Sequence, residues 1–310
     1  MLKPESRIFV AGHRGLVGSA ISRRLRELGH GALLEAGREA LDLTDAVAVS
    51  DFFEKERPEF VFLAAAKVGG ILANSTYPAE FLAQNLRIQD AVITAAMRNG
   101  TEKLVFLGSS CIYPRDAVQP ITEDQLLAGP LEPTNQWYAI AKIAGIKLVQ
   151  AYRQQHDFAG IAAMPTNLYG PNDNFDPEGS HVIPGMLRRF HEAKLSGAPS
   201  VTVWGSGTPK REFLHVDDLA DALVLLMNRY DNSEIINVGT GEDITIAELA
   251  QIVAEVTGYA GEIAFDTSKP DGAPRKVLNI DKIRALGWQP KIDFRTGLAE
   301  TYRWYCDHVD

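Results

Sequence analysis

The 310-residue chain reads as α/β, a doubly wound parallel sheet with a smaller α/β domain for a substrate. Three observations carry this. Between residues 7 and 109, short apolar runs alternate with segments whose apolar residues fall at helical spacing. The runs are continuous rather than alternating, as suits strands buried on both faces. The first run ends in a glycine turn that opens a helix.

Arg7-Ile8-Phe9-Val10-Ala11 is the first strand. The turn Gly12-His13-Arg14-Gly15-Leu16-Val17-Gly18 follows at once. Ser19 to Leu28 is then a helix, with Ala20, Ile21, Leu25 and Leu28 at helical spacing and Gly29 ending it. Gly12 makes the tight turn, Gly15 lets backbone approach a pyrophosphate, and Gly18 lets helix pack on strand. The helix N-terminus then faces the phosphates, which makes the half a Rossmann-type dinucleotide binder across Gly12 to Gly18. Ala32 to Ala36 is a weaker second strand, with Arg38 just past it. An acidic side chain there would accept from the ribose 2′-OH of NAD. Arg38, helped by Arg14, instead neutralises a 2′-phosphate, so NADPH/NADP is the expected cofactor. Glu35 is placed before the turn and facing away.

Asp42-Leu43-Thr44-Asp45 opens a helix through about Lys55, with Asp or Thr as N-cap. Phe60 to Ala66 is another buried strand, and the small residues after it, Gly69 and Gly70 among them, leave room for a cofactor. Pro78 to Asn99 is a long helix, and Lys103 to Gly108 the next strand. Ligands of open α/β sheets collect at the carboxyl ends of strands. Leu107, Gly108, Ser109, Ser110 and Cys111 therefore emerge where cofactor and substrate lie. Downstream, Tyr138 and Lys142 are four apart in a helical pattern and share one face. A serine at a strand end with Tyr-x-x-x-Lys on the following helix is a carbonyl-reducing constellation.

Gly160 to Met164 is a further strand, left by the turn-rich loop Pro165-Thr166-Asn167-Leu168-Tyr169-Gly170-Pro171. Its first four residues are assigned to the cofactor. The composition then turns polar, and a domain change is placed near 170. Residues 1–170 form the cofactor domain, the chain crosses back near 211–238, and 171–310 mainly bind substrate. Ile183 to Lys194 is a basic amphipathic helix, Val201 to Gly205 a strand, Arg211 to Val216 another, and Asp217 to Asn228 a helix. Ile235 to Gly239 and Ile263 to Phe265 are expected as edge strands of the smaller domain. Thr245 to Thr257 and Ile280 to Leu286 are helices.

The net charge is −9, which argues against nucleic acid, since that needs a broad basic field. It leaves room for a phosphorylated small molecule held by a few arginines. Two distant cysteines, Cys111 and Cys306, imply no disulfide framework and suit a reducing cytoplasm. No signal-peptide core and no bilayer-length apolar run stand out, so no membrane role is expected. No metal site is expected.

Together these residues resemble the extended short-chain dehydrogenase/reductase family, the nucleotide-sugar modifiers, over essentially the whole chain. The glycine turn and Tyr-x-x-x-Lys specify the superfamily. Narrower signals are Ala64-Ala65-Ala66-Lys67-Val68-Gly69-Gly70-Ile71, Gly108-Ser109-Ser110-Cys111-Ile112-Tyr113-Pro114, Asn167 to Phe175, Ser180-His181-Val182-Ile183-Pro184, Gly205 to Pro209 leading to Arg211-Glu212-Phe213, and Lys269-Pro270-Asp271-Gly272. Trp137 departs from the pattern, where a smaller residue or proline is expected; it would reshape the cleft entrance. The resemblance implies a GDP-linked 4-keto-6-deoxy sugar, inverted at C3 and C5 and then reduced at C4 with NADPH. It also implies a homodimer through the Pro78 and Tyr138 helices.

That chemistry assigns roles. Protons at C3 and C5 are acidic because the C4 carbonyl takes the charge, so donors aimed at its oxygen, Ser109 and Tyr138, serve both stages. Tyr138 protonates the alkoxide in the reduction, and Lys142 favours the phenolate and holds the nicotinamide ribose. Read without the resemblance, Cys111 is a buried inert thiol and His181 a loop histidine or cofactor contact. With it they become the base and acid of the inversions. Arg189 and Arg211 fork onto the diphosphate, Trp204 stacks on guanine, and Asp271 accepts from guanine N–H groups or a ribose hydroxyl. Two other readings stand beside this one. The first is a 4-epimerase that recycles tightly held NAD. The second is a non-catalytic NADP or nucleotide-sugar sensor, which would have no need of a proton donor.

Overall fold

A computed structural model describes residues 1–177, 179–269 and 271–309, with Ile71 described by its backbone alone. Six strands form the main sheet. In chain order they are β1 (Ile8–Ala11), β2 (Leu33–Leu34), β3 (Phe60–Leu63), β4 (Lys103–Leu107), β5 (Gly160–Pro165) and a late strand, Ile236–Val238. Their spatial order is Ile236–Val238, β5, β4, β3, β1, β2, and every pairing is parallel. All carboxyl ends therefore share one edge. β1, β3 and β5 are buried at every position, as continuous apolar runs require.

Helices cover both faces. α1 (Leu16–Glu27) lies against a later helix, Val216–Arg229. Of α2 (Ala46–Glu56), α3 (Ile71–Thr76), α4 (Pro78–Arg98) and α5 (Gln136–His156), α4 packs on both α2 and α5. Asp45 caps α2, its carboxylate accepting from Val47 N and Ala48 N.

After β5 come β6 (Asn167–Tyr169), α6 (Val182–Ser196), β7 (Ser200–Trp204), β8 (Lys210–Arg211), β9 (Phe213–His215), then α7 (Val216–Arg229) and β10 (Ile236–Val238), already met above. β11 (Ile244–Thr245), α8 (Ile246–Thr257), β12 (Glu262–Asp266), β13 (Arg275–Lys276), α9 (Asp281–Ala285) and α10 (Phe294–His308) complete the chain. A second apolar cluster joins α6, α8 and α10 around Phe190, Leu187, Val203, Leu249, Val253 and Leu298. β7 pairs with β12 in parallel, and β8 lies between β11 and β13.

The structure revises several readings. Ile236–Val238 is an edge strand of the main sheet, paired with β5, not of a smaller domain. Its apolar side chains are fully buried there, between β5 and α9. The stretch read as a loop after β5 contains β6, which pairs with β9. The single strand expected from Arg211 to Val216 is two, β8 and β9, separated by Glu212. α10 was not anticipated.

Candidate active site

One cleft of about 1750 Å³ runs along the carboxyl ends of the sheet and across to α6, β7 and β13. Its floor begins at the glycine turn. Gly12 has φ +89°, and a Cβ there would stand 2.8 Å from Ala65 N. A Cβ on Gly18 would stand 2.0 Å from Gly12 O, so helix and turn approach with nothing between them. Gly15 caps α1 without a side-chain acceptor, and the first turn of α1 carries no acid. Its leading N–H groups are left for an anion, and Leu16, Val17 and Gly18 line the cleft beside them. These features fit a dinucleotide pyrophosphate.

Beyond β2, Arg38 lines the cleft. The side chains of His13 and Arg14 do not; Arg14 pairs at the rim with Glu39 at 2.6 Å. Glu35 is also outside the lining and accepts from Arg26 at 2.5 Å. Asp42 lines the cleft with Oδ1 occupied by Thr44 N and Oγ1, at 2.9 and 2.8 Å.

At the end of β4, a short 3-10 turn spans Ser110–Ile112, and the Ser109 hydroxyl caps it by accepting from Cys111 N at 3.2 Å. α5 brings Tyr138 and Lys142 to the same place. The Tyr138 ring meets Phe81 edge-on. Burial and the nearby Cys111 push the Tyr138 phenol well above its usual range, against a smaller opposing effect of the Ser109 side chain. Lys142 is 3% exposed and donates to Leu107 O at 2.7 Å, with its ammonium 4.9 Å from the Phe106 ring centre. Burial drives its pKa down to about 7. The Lys142 ammonium also stands 5.7 Å from the Tyr138 ring centre.

Two donors converge on the Cys111 sulfur, Asn135 Nδ2 at 3.4 Å and Lys276 Nζ at 3.8 Å. His181 is the N-cap residue of α6 but caps nothing with its side chain. It stays accessible from the cleft, whose walls desolvate the ring enough to hold its pKa below the usual imidazole value. Leu107, Gly108, Ser110 and Pro165 to Leu168 also line the cleft. Asn167 Nδ2 and Thr166 Oγ1 both donate to Glu212 O, at 2.9 and 3.3 Å.

At the far end, Arg189 lies on α6 with Nε on Gly185 O and Nη1 on Thr202 O, at 3.1 and 3.2 Å. Arg211 donates from Nη1 to Ala273 O at 2.6 Å. Burial lowers the pKa of both arginines. Trp204 is 63% exposed, with Lys269 Nζ over its ring, 5.4 Å from the centre. Asp271 accepts from Ser206 N and Oγ at 2.8 and 2.7 Å, and these bonds hold its pKa below the usual carboxylate value. Trp137 lies outside the cleft lining and is exposed on α5.

Sequence reasoning did not single out Lys276 or Asp173. Both line the cleft. Asp173 Oδ2 is buried without a hydrogen-bond partner, and burial raises the carboxyl pKa to about 7. The Asn172-Asp173-Asn174 run after the glycine-proline turn was its visible signal. Lys276 had none, since its partner is 165 positions away.

A glycine cradle at the start of a parallel sheet, with a Ser-Tyr-Lys set at the end of β4, defines a nicotinamide-dependent short-chain dehydrogenase type of site. A sequence profile of the NAD dependent epimerase/dehydratase family matches residues 8–239, and the chain belongs to that family. It is 58% identical to GDP-L-fucose synthase 1 of Arabidopsis thaliana over 309 residues, 100% of this chain and 96% of the relative. It is 55% identical to GDP-L-fucose synthase of Escherichia coli strain K12, over 99% of this chain and 98% of the relative. Among solved structures, a GDP-L-fucose synthetase from Naegleria fowleri bound to NADP superposes with a TM-score of 0.92. That pair is 30% identical and covers 99% of this chain and 96% of the other.

Proposed function

We propose that this chain converts GDP-4-keto-6-deoxy-D-mannose to GDP-L-fucose, by epimerisation at C3 and C5 and NADPH-dependent reduction at C4. One observation carries the reading: Ser109, Tyr138 and Lys142 share a single cleft with a second acid–base pair, Cys111 and His181, and with the glycine cradle. A simple reductase needs only the first set. A sensor needs neither.

The ketone oxygen rests against the Ser109 and Tyr138 hydroxyls. When a proton leaves C3 or C5, negative charge gathers on that oxygen, and the two donors stabilise it. Cys111 and His181 work on the flanking carbons, one removing a proton and the other returning one to the opposite face. Lys276 and Asn135 support negative charge on the Cys111 sulfur. NADPH, when bound, supplies the hydride to C4. Tyr138, held as a neutral phenol by burial, gives its proton to the C4 oxygen. Lys142 fixes the strand end through Leu107 O and stands ready to hold the nicotinamide ribose. Leu107, Gly108, Ser110, Pro165 to Leu168 and the turn from Gly12 to Gly18 form the cofactor bed, with Arg38 and the nearby Arg14 meeting the 2′-phosphate. Arg189 and Arg211 take the diphosphate, Trp204 the guanine, and Asp271 a guanine N–H or ribose hydroxyl.

Residues 1–170, with the return at 211–238, serve the cofactor, and 171–310 mainly serve the GDP-sugar. The two apolar clusters support that division. The free Cys111 and Cys306 suit a cytoplasmic setting. Among the described residues, no helix is long and apolar enough to cross a membrane. A homodimer through α4 and α5 is favoured by their outer groove, about 430 Å³ and lined by Leu86, Ala144 and Leu148, with Trp137 and Ile140 exposed nearby. Sedimentation equilibrium checks it: Ile140→Glu should lower the mass to one chain, and a wild type already at that mass contradicts the dimer.

The catalytic test is direct. Added GDP-4-keto-6-deoxy-D-mannose should cause stoichiometric loss of NADPH absorbance with GDP-L-fucose as product. Interconversion of sugars with no net NADPH loss would favour a 4-epimerase instead.

A further inference from the structure

The exit from β3 is braced from behind by two buried asparagines. Asn85 accepts from Lys67 N at 2.8 Å and donates to Lys67 O at 3.0 Å. Asn74 Nδ2 donates to Gly69 O at 2.7 Å and Gly70 O at 3.1 Å. In front, Gly70 N donates to Gly179 O at 3.0 Å. This contact joins the sheet to the loop that enters α6. A Cβ on Gly70 would stand 2.5 Å from Ser180 O, inside any tolerable contact with a backbone atom. The Gly70 backbone, φ −65° and ψ −179°, is open to every residue type, so the demand is for space and not for conformation. Gly179 and Ser180 are the two residues before His181.

His181 does not cap α6 with its ring, so the backbone that leads into it sets where the ring points. One side of that backbone is the first turn of α6. The other side rests on Gly70. We propose that Gly70 is a positioning residue for the epimerisation: its missing side chain lets the Gly179-Ser180 backbone dock on the sheet, and the docking aims His181 at the sugar carbons. The proposal rests on the reading of His181 given above. Reduction does not share this dependence, because Ser109 stands on the turn after β4 and Tyr138 and Lys142 on α5.

The test uses the full enzyme with Gly70→Ala. Solvent deuterium exchange at C3 and C5 of the 4-keto sugar reads inversion. Oxidation of GDP-L-fucose by NADP, the reverse of the last step, reads redox chemistry without inversion. Exchange should fall about 10–100-fold, the scale of an ångström-sized misplacement. Reverse oxidation, measured at saturating NADP, should fall far less than exchange. Gly179→Ala is the control, since its Cβ would meet no backbone atom and come no nearer than 3.3 Å to Asp176 Oδ1. Should Gly70→Ala fail to fold, Asn74→Ala loosens the same turn from behind and should show the same selective loss. Unchanged exchange overturns the proposal, and so does a parallel fall of exchange, reverse oxidation and NADPH binding. Wild-type exchange in His181→Asn would overturn the underlying reading of His181, and the proposal with it.

Discussion

Burial moves Tyr138 and Lys142 in opposite directions, although they sit one helical turn apart. The phenol is held protonated, as a proton donor must be, and the ammonium is brought to a pKa of about 7. The lysine shift has a consequence for stability. Below about pH 7, Lys142 is charged in both folded and unfolded chains. From there to about pH 10 the unfolded chain keeps a proton that the folded one has shed. Stability from this group therefore rises with pH across that window, by on the order of 4 kcal/mol at most. In the free enzyme, the stability difference between wild type and Lys142→Met, from urea unfolding, should climb through this range. A difference that does not change with pH contradicts the burial argument. At this scale the Tyr-x-x-x-Lys pair was legible because helical periodicity places both on one face. The Cys111 surroundings were not, because the 3.8 Å approach of Lys276 is made by tertiary folding alone.

The glycine turn shows what a single element contributes. Gly18 packs α1 on the turn so closely that a Cβ would meet Gly12 O at 2.0 Å. Gly18→Ala should cost about 1–3 kcal/mol through overpacking. It should also weaken NADPH binding, because the leading N–H groups of α1 move. Thermal unfolding and fluorescence titration with NADPH check both; unchanged NADPH affinity would remove the turn from the cofactor bed. The parallel strands were legible because strands buried on both faces have an unmistakable composition. Shorter elements were not. Three-residue β6 and β9 find their hydrogen bonds in each other, across a separation that no local pattern reports. Ile236–Val238 looked like any short apolar run, and only its partner β5 assigns it to the main sheet. α10 carried a readable start, since Asp293 caps it by accepting from Thr296 N, but its aromatic and charged residues blur the apolar stripe.

Glu212 acts at the scale of the whole molecule. It is fully buried between β8 and β9, and its carboxylate accepts from Thr240 N, Gly241 N and Leu278 N at 2.6, 2.7 and 2.8 Å. Its own carbonyl receives Thr166 and Asn167 from the end of β5. One residue thus clasps the sheet to the chain that carries Arg211 and Lys276. Glu212→Ala leaves three N–H groups, that of Leu278 fully buried, without their acceptor and should cost about 2–5 kcal/mol in urea unfolding. A loss within the range of surface substitutions would show that the clasp is dispensable. In the sequence Glu212 stood only as one residue of the Arg211-Glu212-Phe213 signal, because an acid between two short strands reads as a solvated charge until its partners are known. The clasp matters because the proposed site draws on both sides of it, with Ser109 just past β4, Tyr138 and Lys142 on α5, and His181, Arg189 and Lys276 beyond them. The central claim is that one ketone, held by Ser109 and Tyr138, serves both inversion and reduction. It is tested most directly by Tyr138→Phe incubated with NADPH and GDP-4-keto-6-deoxy-D-mannose in deuterium oxide. Deuterium should still enter C3 and C5 at a measurable rate, while NADPH consumption stops. Exchange that vanishes together with reduction, or NADPH consumption that persists without the phenol, would contradict the account.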